Sequence, residues 1–224
     1  MPKRKREIPP RNLGLDLVRA TEAAALAAGG CWVGLGKPLE TDAEATRSMR
    51  NALNLVNIEA VVAVGKEVRV YASEGLQSGQ CVGTGEGPAV DLVVDPIDGR
   101  DLVAEGHSGA IVVMAVVPRG ALWAPTPAAY MEKIVVNEEA AEDLVPECLD
   151  APAAWTLALV ARAKEKEVED LTVFILNRDR HAALISEIRQ AGAHVILRDE
   201  GNITGALLAG LPDSGVDLLM GGYP

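Results

Sequence analysis

The chain of 224 residues is 49% hydrophobic and 24% charged with a formal net charge of -11, a globular composition long enough for one large domain or two small ones. The acid excess excludes nucleic-acid binding except through a local patch, and the one basic run is Lys3-Arg4-Lys5-Arg6. With aromatics at 3% and 22 glycines, packing falls to Ala, Val, Leu and Ile, which favours α/β layers over an aromatic-rich β-sandwich.

Residues 1–12 read as a basic, flexible tail. No apolar stretch follows the basic run, so it does not form a secretory signal. A helix is predicted over 13–30, with Leu13, Leu17, Ala20, Ala24 and Leu26 as its apolar stripe and Gly29-Gly30 as its end. Thr41 and Glu44 have capping-box form and predict a second helix from Thr41 to about Val56. Ala60 to Val64 reads as a buried strand stopped by Gly65, and residues 66–88 as a short strand with loops. Val90 to Val94 is a strand ending at Asp95-Pro96, and Ala110 to Val117, uncharged throughout, is a strand buried on both faces.

Beyond the Pro/Ala-rich stretch from Pro146 to Pro152 the rhythm is a cleaner alternation. It predicts a helix over 151–169, a strand from Leu171 to Leu176 and a helix from Arg180 to Ala191 closed by Gly192. A strand over 193–197, a helix over 202–209 and a strand over 216–220 follow, giving a βαβαβ unit with a parallel sheet. Gly221-Gly222 reads as a glycine turn at the carboxyl end of the last strand, where α/β proteins build ligand loops. The division predicts an N-terminal domain over 13–148 and a C-terminal βαβαβ sub-domain over 149–224.

Cys31, Cys81 and Cys148 are far apart with no CxxC pair, which supports neither a disulfide framework nor a zinc site. Free thiols in a reducing compartment are expected. No apolar run reaches membrane-spanning length. The expectation is a soluble intracellular protein, in the cytoplasm or an organelle interior, without membrane insertion.

The segment richest in chemistry is Val90-Asp91-Leu92-Val93-Val94-Asp95-Pro96-Ile97-Asp98-Gly99. A buried strand delivers Asp95 and Asp98 to a turn, and two hard oxygen ligands at this spacing can bind Mg²⁺ while leaving positions open for phosphate oxygens. The same residues also suit a plain strand-end turn, which favours Asp on its own account.

An Asp-Pro-Ile-Asp-Gly turn resembles the metal motif of the lithium-sensitive phosphatase superfamily, and its surroundings resemble the class II fructose-1,6-bisphosphatases. The matching stretches run in order through Thr21 to Ala27, Met49-Arg50 to Asn57-Ile58, Val82-Gly83-Thr84-Gly85, Ala129 to Ile134, Arg180-His181 and Leu211 to Ser214. The resemblance implies a layered α-β-α-β-α sandwich of two sub-domains, hydrolysis of the 1-phosphate of fructose 1,6-bisphosphate, and Mg²⁺ or Mn²⁺ as cofactor if the chain is active. It places Asp95 and Asp98 at the metal and Tyr130, Glu132, Lys133, Arg178 and Arg180 on the substrate side.

Several positions depart from the family pattern. Lys37 stands where the family has an Asp after the Trp32-Val33-Gly34-Leu35-Gly36 turn, and Gly65-Lys66-Glu67-Val68 replaces a Gly-Glu-Gly-Glu segment. Arg100 replaces the motif Thr, and Glu200-Gly201-Asn202 replaces Asp-Gly-Asp. The family's last metal-binding Glu lies past Pro224, so the second sub-domain is expected to be truncated. A lysine in a cation site is costly: unit charges about 4 Å apart repel by on the order of 4 kcal/mol at an effective dielectric of 20. The expectation is therefore a chain without an intact catalytic set, with Asp95, Asp98 and Glu67 as remaining candidates. Lys37, Lys66 and Arg100 would then offer fixed positive charge to a phosphate, and without activity no cofactor is needed. A homo-oligomer, or a subunit of a larger assembly, is expected to cover the exposed strand edges.

Overall fold

A computed structural model describes residues 12–65, 75–122 and 131–223, the side chains of Cys31 and Tyr223 excepted. Lys66, Glu67, Tyr130 and the basic run Lys3 to Arg6 lie outside the described residues. The chain divides into two compact units, each discontinuous in sequence. The first comprises Met1–Trp32, Leu39–Ile97 and Val112–Leu122; the second comprises Val33–Pro38, Asp98–Ile111 and Trp123–Pro224.

In the first unit, α1 (Leu13–Cys31) starts at Asn12, whose side chain accepts from the Gly14 N–H at 3.1 Å. Its buried stripe is Leu17, Ala20, Ala24 and Ala28, spaced by three and four residues. Leu26 is 67% exposed, a correction to the expected stripe, because nine residues beyond Leu17 is half a turn out of phase. Helix α2 (Pro38–Leu53) starts three residues earlier than the expected cap at Thr41. Proline suits the first helical position, where its missing N–H is not needed, and Thr41 instead heads a buried row with Ala45, Met49 and Leu53.

The first unit's sheet has the order β2 (Cys81–Val82), β1 (Glu59–Val64), β3 (Ala89–Asp98), β4 (Ile111–Pro118). It is mixed, since β1 runs antiparallel to β2 and parallel to β3. Strand β3 continues through Asp95-Pro96 to Asp98 rather than stopping at Val94. Strand β4 is half-buried rather than buried on both faces, because it is the edge strand of this sheet.

An ion pair between buried Asp91 and exposed Arg119 fixes the start of β3. Asp91 pairs with Arg119, Nε to Oδ1 at 2.9 Å, and its other oxygen accepts from the Gly120 N–H at 2.7 Å. The Arg119 guanidinium also donates to the Val90 and Glu59 carbonyls.

The second unit is a three-layer α-β-α sandwich. Its sheet has the order β5 (Met131–Val136), β8 (Leu218–Tyr223), β6 (Thr172–Leu176), β7 (His194–Arg198). Strands β7, β6 and β8 are parallel and β5 is antiparallel to β8. Helices α5 (Ala153–Ala163) and α6 (Ala182–Gln190) cover one face, where Leu157, Val160 and Ile188 pack on Val173, Ile175, Leu218 and Met220. Helix α7 (Asn202–Gly210) covers the other, with Ala209 against Phe174, Leu176 and Leu219. Alternate residues of each strand feed the two cores, as the pleat requires. Gly205 makes the close approach of α7 possible, since a β-carbon there would lie 2.3 Å from the Phe174 ring.

The βαβαβ reading therefore holds for this unit, with two differences. Strand β5 was not foreseen, and Gly221-Gly222 is not a turn: both glycines lie within β8, opposite Lys133 and Glu132. Glycine tolerates that place because the Glu132 carboxylate lies over Gly222, 2.9 Å from where a β-carbon would sit. The remaining short helices are α3 (Arg100–Glu105) and α4 (Glu138–Ala141).

Candidate functional site

Strand β6 leads to β7 on one side of the sheet through α6, and the chain then crosses to β8 on the other side through α7. Such reversals open a crevice at the carboxyl ends of the strands, the usual ligand position in doubly wound sheets. Arg178 and Arg180 follow β6, and Glu200 follows β7. Of the basic candidates, Arg178 and Arg180 stand after β6, at the end of the sheet where this topology collects ligands.

Arg180 donates from Nε to the Gly222 carbonyl at 3.0 Å, and buried His181 joins the same residue. His181 Nδ1 lies 2.8 Å from the Leu176 carbonyl and Nε2 accepts from the Gly222 N–H at 3.0 Å. An acceptor at Nε2 makes Nδ1 the protonated nitrogen, donating to Leu176. The pair ties the end of β8 to the turn after β6. In the sequence His181 stands only as part of the matched Arg180-His181 stretch; its latch role is visible only once β8 is paired.

A cavity of about 270 Å³ adjoins this latch, lined by Glu132, Cys148, Arg180, His181 and Glu187 among others. Glu187 accepts from the Ala153 N–H at 3.2 Å, so it also caps the start of α5. Lys133 contributes to the lining, but strand alternation sets its side chain on the face of Val135 and α7, opposite to Glu132 and Ile134. Burial lowers the Lys133 pKa, with the Glu132 carboxylate opposing. Arg178 is exposed.

The motif residues lie elsewhere in the chain's organisation. Asp95, in the first unit, accepts at Oδ1 from the Ile97 N–H at 3.2 Å, the first donor available after the proline. Asp98 is buried in the second unit, and its Oδ2 accepts from the Ile203 N–H of α7 at 3.0 Å. Glu200 Oε2 accepts from the Asp101 N–H of α3 at 3.0 Å. Burial raises the Glu200 pKa, and the Asp101 carboxylate adds to the rise against the backbone bond and Arg100. Arg100 opens α3 with its Nε 3.8 Å from Asp101 Oδ1, a loose pairing. Lys37 is exposed, and its turn docks on the opposite end of α3: the Gly34 and Gly36 N–H groups donate to the Val103 and Ala104 carbonyls.

The multi-metal phosphoryl transfer that the sequence resemblance implies calls for several carboxylates around one point. Among the described residues no three acidic, His or Cys side chains converge as a metal-holding group. Asp98 and Glu200 each spend an oxygen on a backbone N–H at a helix start, which is the positive end of the helix and favours anions over cations. The described donor set does not fit a divalent ion. No helix of the described residues is long and apolar enough to cross a membrane.

The mixed α/β architecture with two mixed sheets is that of an α/β phosphatase-like fold. The family model for bacterial fructose-1,6-bisphosphatase, glpX-encoded, matches residues 11–223, and the chain belongs to that family. It is 39% identical over 211 residues to fructose-1,6-bisphosphatase 1 class 2 of Escherichia coli, covering 94% of this chain and 61% of that protein. The same identity and coverage hold for the class 2 fructose-1,6-bisphosphatase of Shigella flexneri. The chain thus spans 61% of the length of these curated relatives.

Proposed function

We propose that this fructose-bisphosphatase-family chain binds a phosphorylated sugar at the carboxyl ends of β6 and β8 and has little hydrolytic activity of its own. It would act as a structural or regulatory subunit of an oligomer or larger assembly. The observation that carries the reading is Arg180, anchored through Nε to the Gly222 carbonyl beside a cavity of about 270 Å³. A guanidinium held this way presents a planar, permanently charged fork suited to phosphate. Lys133, Arg178 and, at the start of α3, Arg100 supply further positive charge in the same unit. Asp98 and Glu200 bonded to backbone donors support low activity.

Calorimetric titration with fructose 1,6-bisphosphate, and with inorganic phosphate, tests the binding. Heat with wild-type protein is expected, and Arg180→Ala should weaken affinity by about ten-fold or more, as loss of a charge-assisted contact implies. No heat at millimolar ligand rejects it. The second reading is a Mg²⁺- or Mn²⁺-dependent hydrolase of the 1-phosphate of fructose 1,6-bisphosphate. The retained Asp95-Pro96-Ile97-Asp98-Gly99 order and the activity in the relatives' names favour that reading.

A further inference from the structure

Gly99 and Gly201 each precede a helix, α3 and α7, with nearly the same backbone torsions: φ 92° and ψ 43° for the first, φ 92° and ψ 46° for the second. Left-handed backbone of this kind favours glycine. Glycine at the cap position has no side chain to accept from the orphan N–H groups of the helix that follows. Each glycine is, however, preceded by a carboxylate, Asp98 before Gly99 and Glu200 before Gly201.

The two carboxylates serve each other's helix. Asp98 accepts from Ile203, the second residue of α7, and Glu200 accepts from Asp101, the second residue of α3, both at 3.0 Å. A third bond runs alongside, from the Thr204 hydroxyl to the Gly109 carbonyl at 2.9 Å. We infer that Asp98 and Glu200 form a reciprocal clasp, each capping the helix that follows the other, and that this clasp, rather than a divalent cation, orders the Asp98–Gly109 segment against α7.

The electrostatics agree with the geometry. Two helix starts meet the two carboxylates, and the partial positive charge of each start stabilises an anion and opposes a cation. Hydrogen bonds from N–H groups to ionised acceptors are the stronger kind. Asp98, 9% exposed, is buried enough for such a bond to matter. The inference goes beyond the proposed function: it shares the Asp98 and Glu200 bonds with the low-activity part of that reading, but sugar-phosphate binding at Arg180 can fail without touching it.

Amide hydrogen exchange on the full chain, resolved by residue, tests the crosswise pattern. Asp98→Ala should speed exchange at the Ile203 amide, and Glu200→Ala at the Asp101 amide, each by about five- to ten-fold, as loss of one cap implies. Asp98→Asn keeps an acceptor oxygen and should leave Ile203 within about three-fold of wild type. MgCl₂ or MnCl₂ at millimolar concentration should change neither amide. Should Asp98→Ala fail to fold, Glu200→Ala and Asp98→Asn carry the same comparison. Unchanged exchange in the alanine variants overturns the clasp, and so does a metal-dependent slowing at Ile203 that Asp98→Asn abolishes.

Discussion

Asp217 falls inside the strand expected over 216–220 and carries no predicted role there; the observed strand begins one residue later, at Leu218. In the structure it is buried and accepts from Lys166 Nζ at 2.8 Å, Lys164 Nζ at 3.1 Å and the Thr172 N–H at 2.9 Å. Burial alone would raise its pKa, but the hydrogen bonds from Lys166, Thr172 and Lys164 together bring it below the ordinary value. A carboxylate depressed in the folded state stabilises the fold above its unfolded pKa and loses that contribution as pH falls through the folded one. Acid titration of stability should therefore show a loss below about pH 4 that is missing in Asp217→Asn. At neutral pH the same substitution should cost about 3 kcal/mol in denaturant unfolding, because Lys164 is left buried without its partner. Glu200 goes the other way: burial raises its pKa, the Asp101 carboxylate adds to the rise, and the Asp101 backbone bond and Arg100 do not offset it.

The elements were legible where one face is apolar at a clear period. Helix α6 and strand β6 fall within a residue or two of expectation because Ile185 and Ile188, and Val173 and Ile175, repeat at helix and strand spacing. Strand β5 escaped because Met131-Glu132-Lys133 breaks the apolar pattern at its outer end, where it is an edge strand. The glycines of β8 signalled a turn, yet they pair with β5. Local composition cannot report a partner strand that lies about ninety residues away, and pairing with it overrides the glycine preference. Gly205 illustrates the same point inside a helix. Gly205→Ala should raise α7's intrinsic propensity but drive a methyl into Phe174, for a net loss of about 1–3 kcal/mol by denaturant unfolding. Pairing it with Phe174→Leu should recover part of that loss.

For the whole molecule, hydrolysis is a property no single motif secures. The family's chemistry needs several carboxylates at one point, and among the described residues no three metal-holding side chains form such a group. Phosphate release from fructose 1,6-bisphosphate in MgCl₂ or MnCl₂ is expected to stay near background. A rate well above background that Asp95→Asn abolishes would establish the hydrolase reading instead. The ordered matches from Thr21 to Ser214 made the family legible from sequence, and with it the mixed α/β class. The candidate site was legible in part: Arg180 was marked by its motif, whereas His181 gained a role only through Gly222 of β8.

Apolar periodicity and motif order, which are local in the chain, determined the family, the βαβαβ unit and the Asp95–Gly99 motif, but not that β3 runs on through Asp98. Tertiary structure decided what the carboxylates do there. Asp98 meets Ile203 and Glu200 meets Asp101 across about a hundred residues of sequence, and a hydrogen bond is set by distance and direction in space, not by separation along the chain.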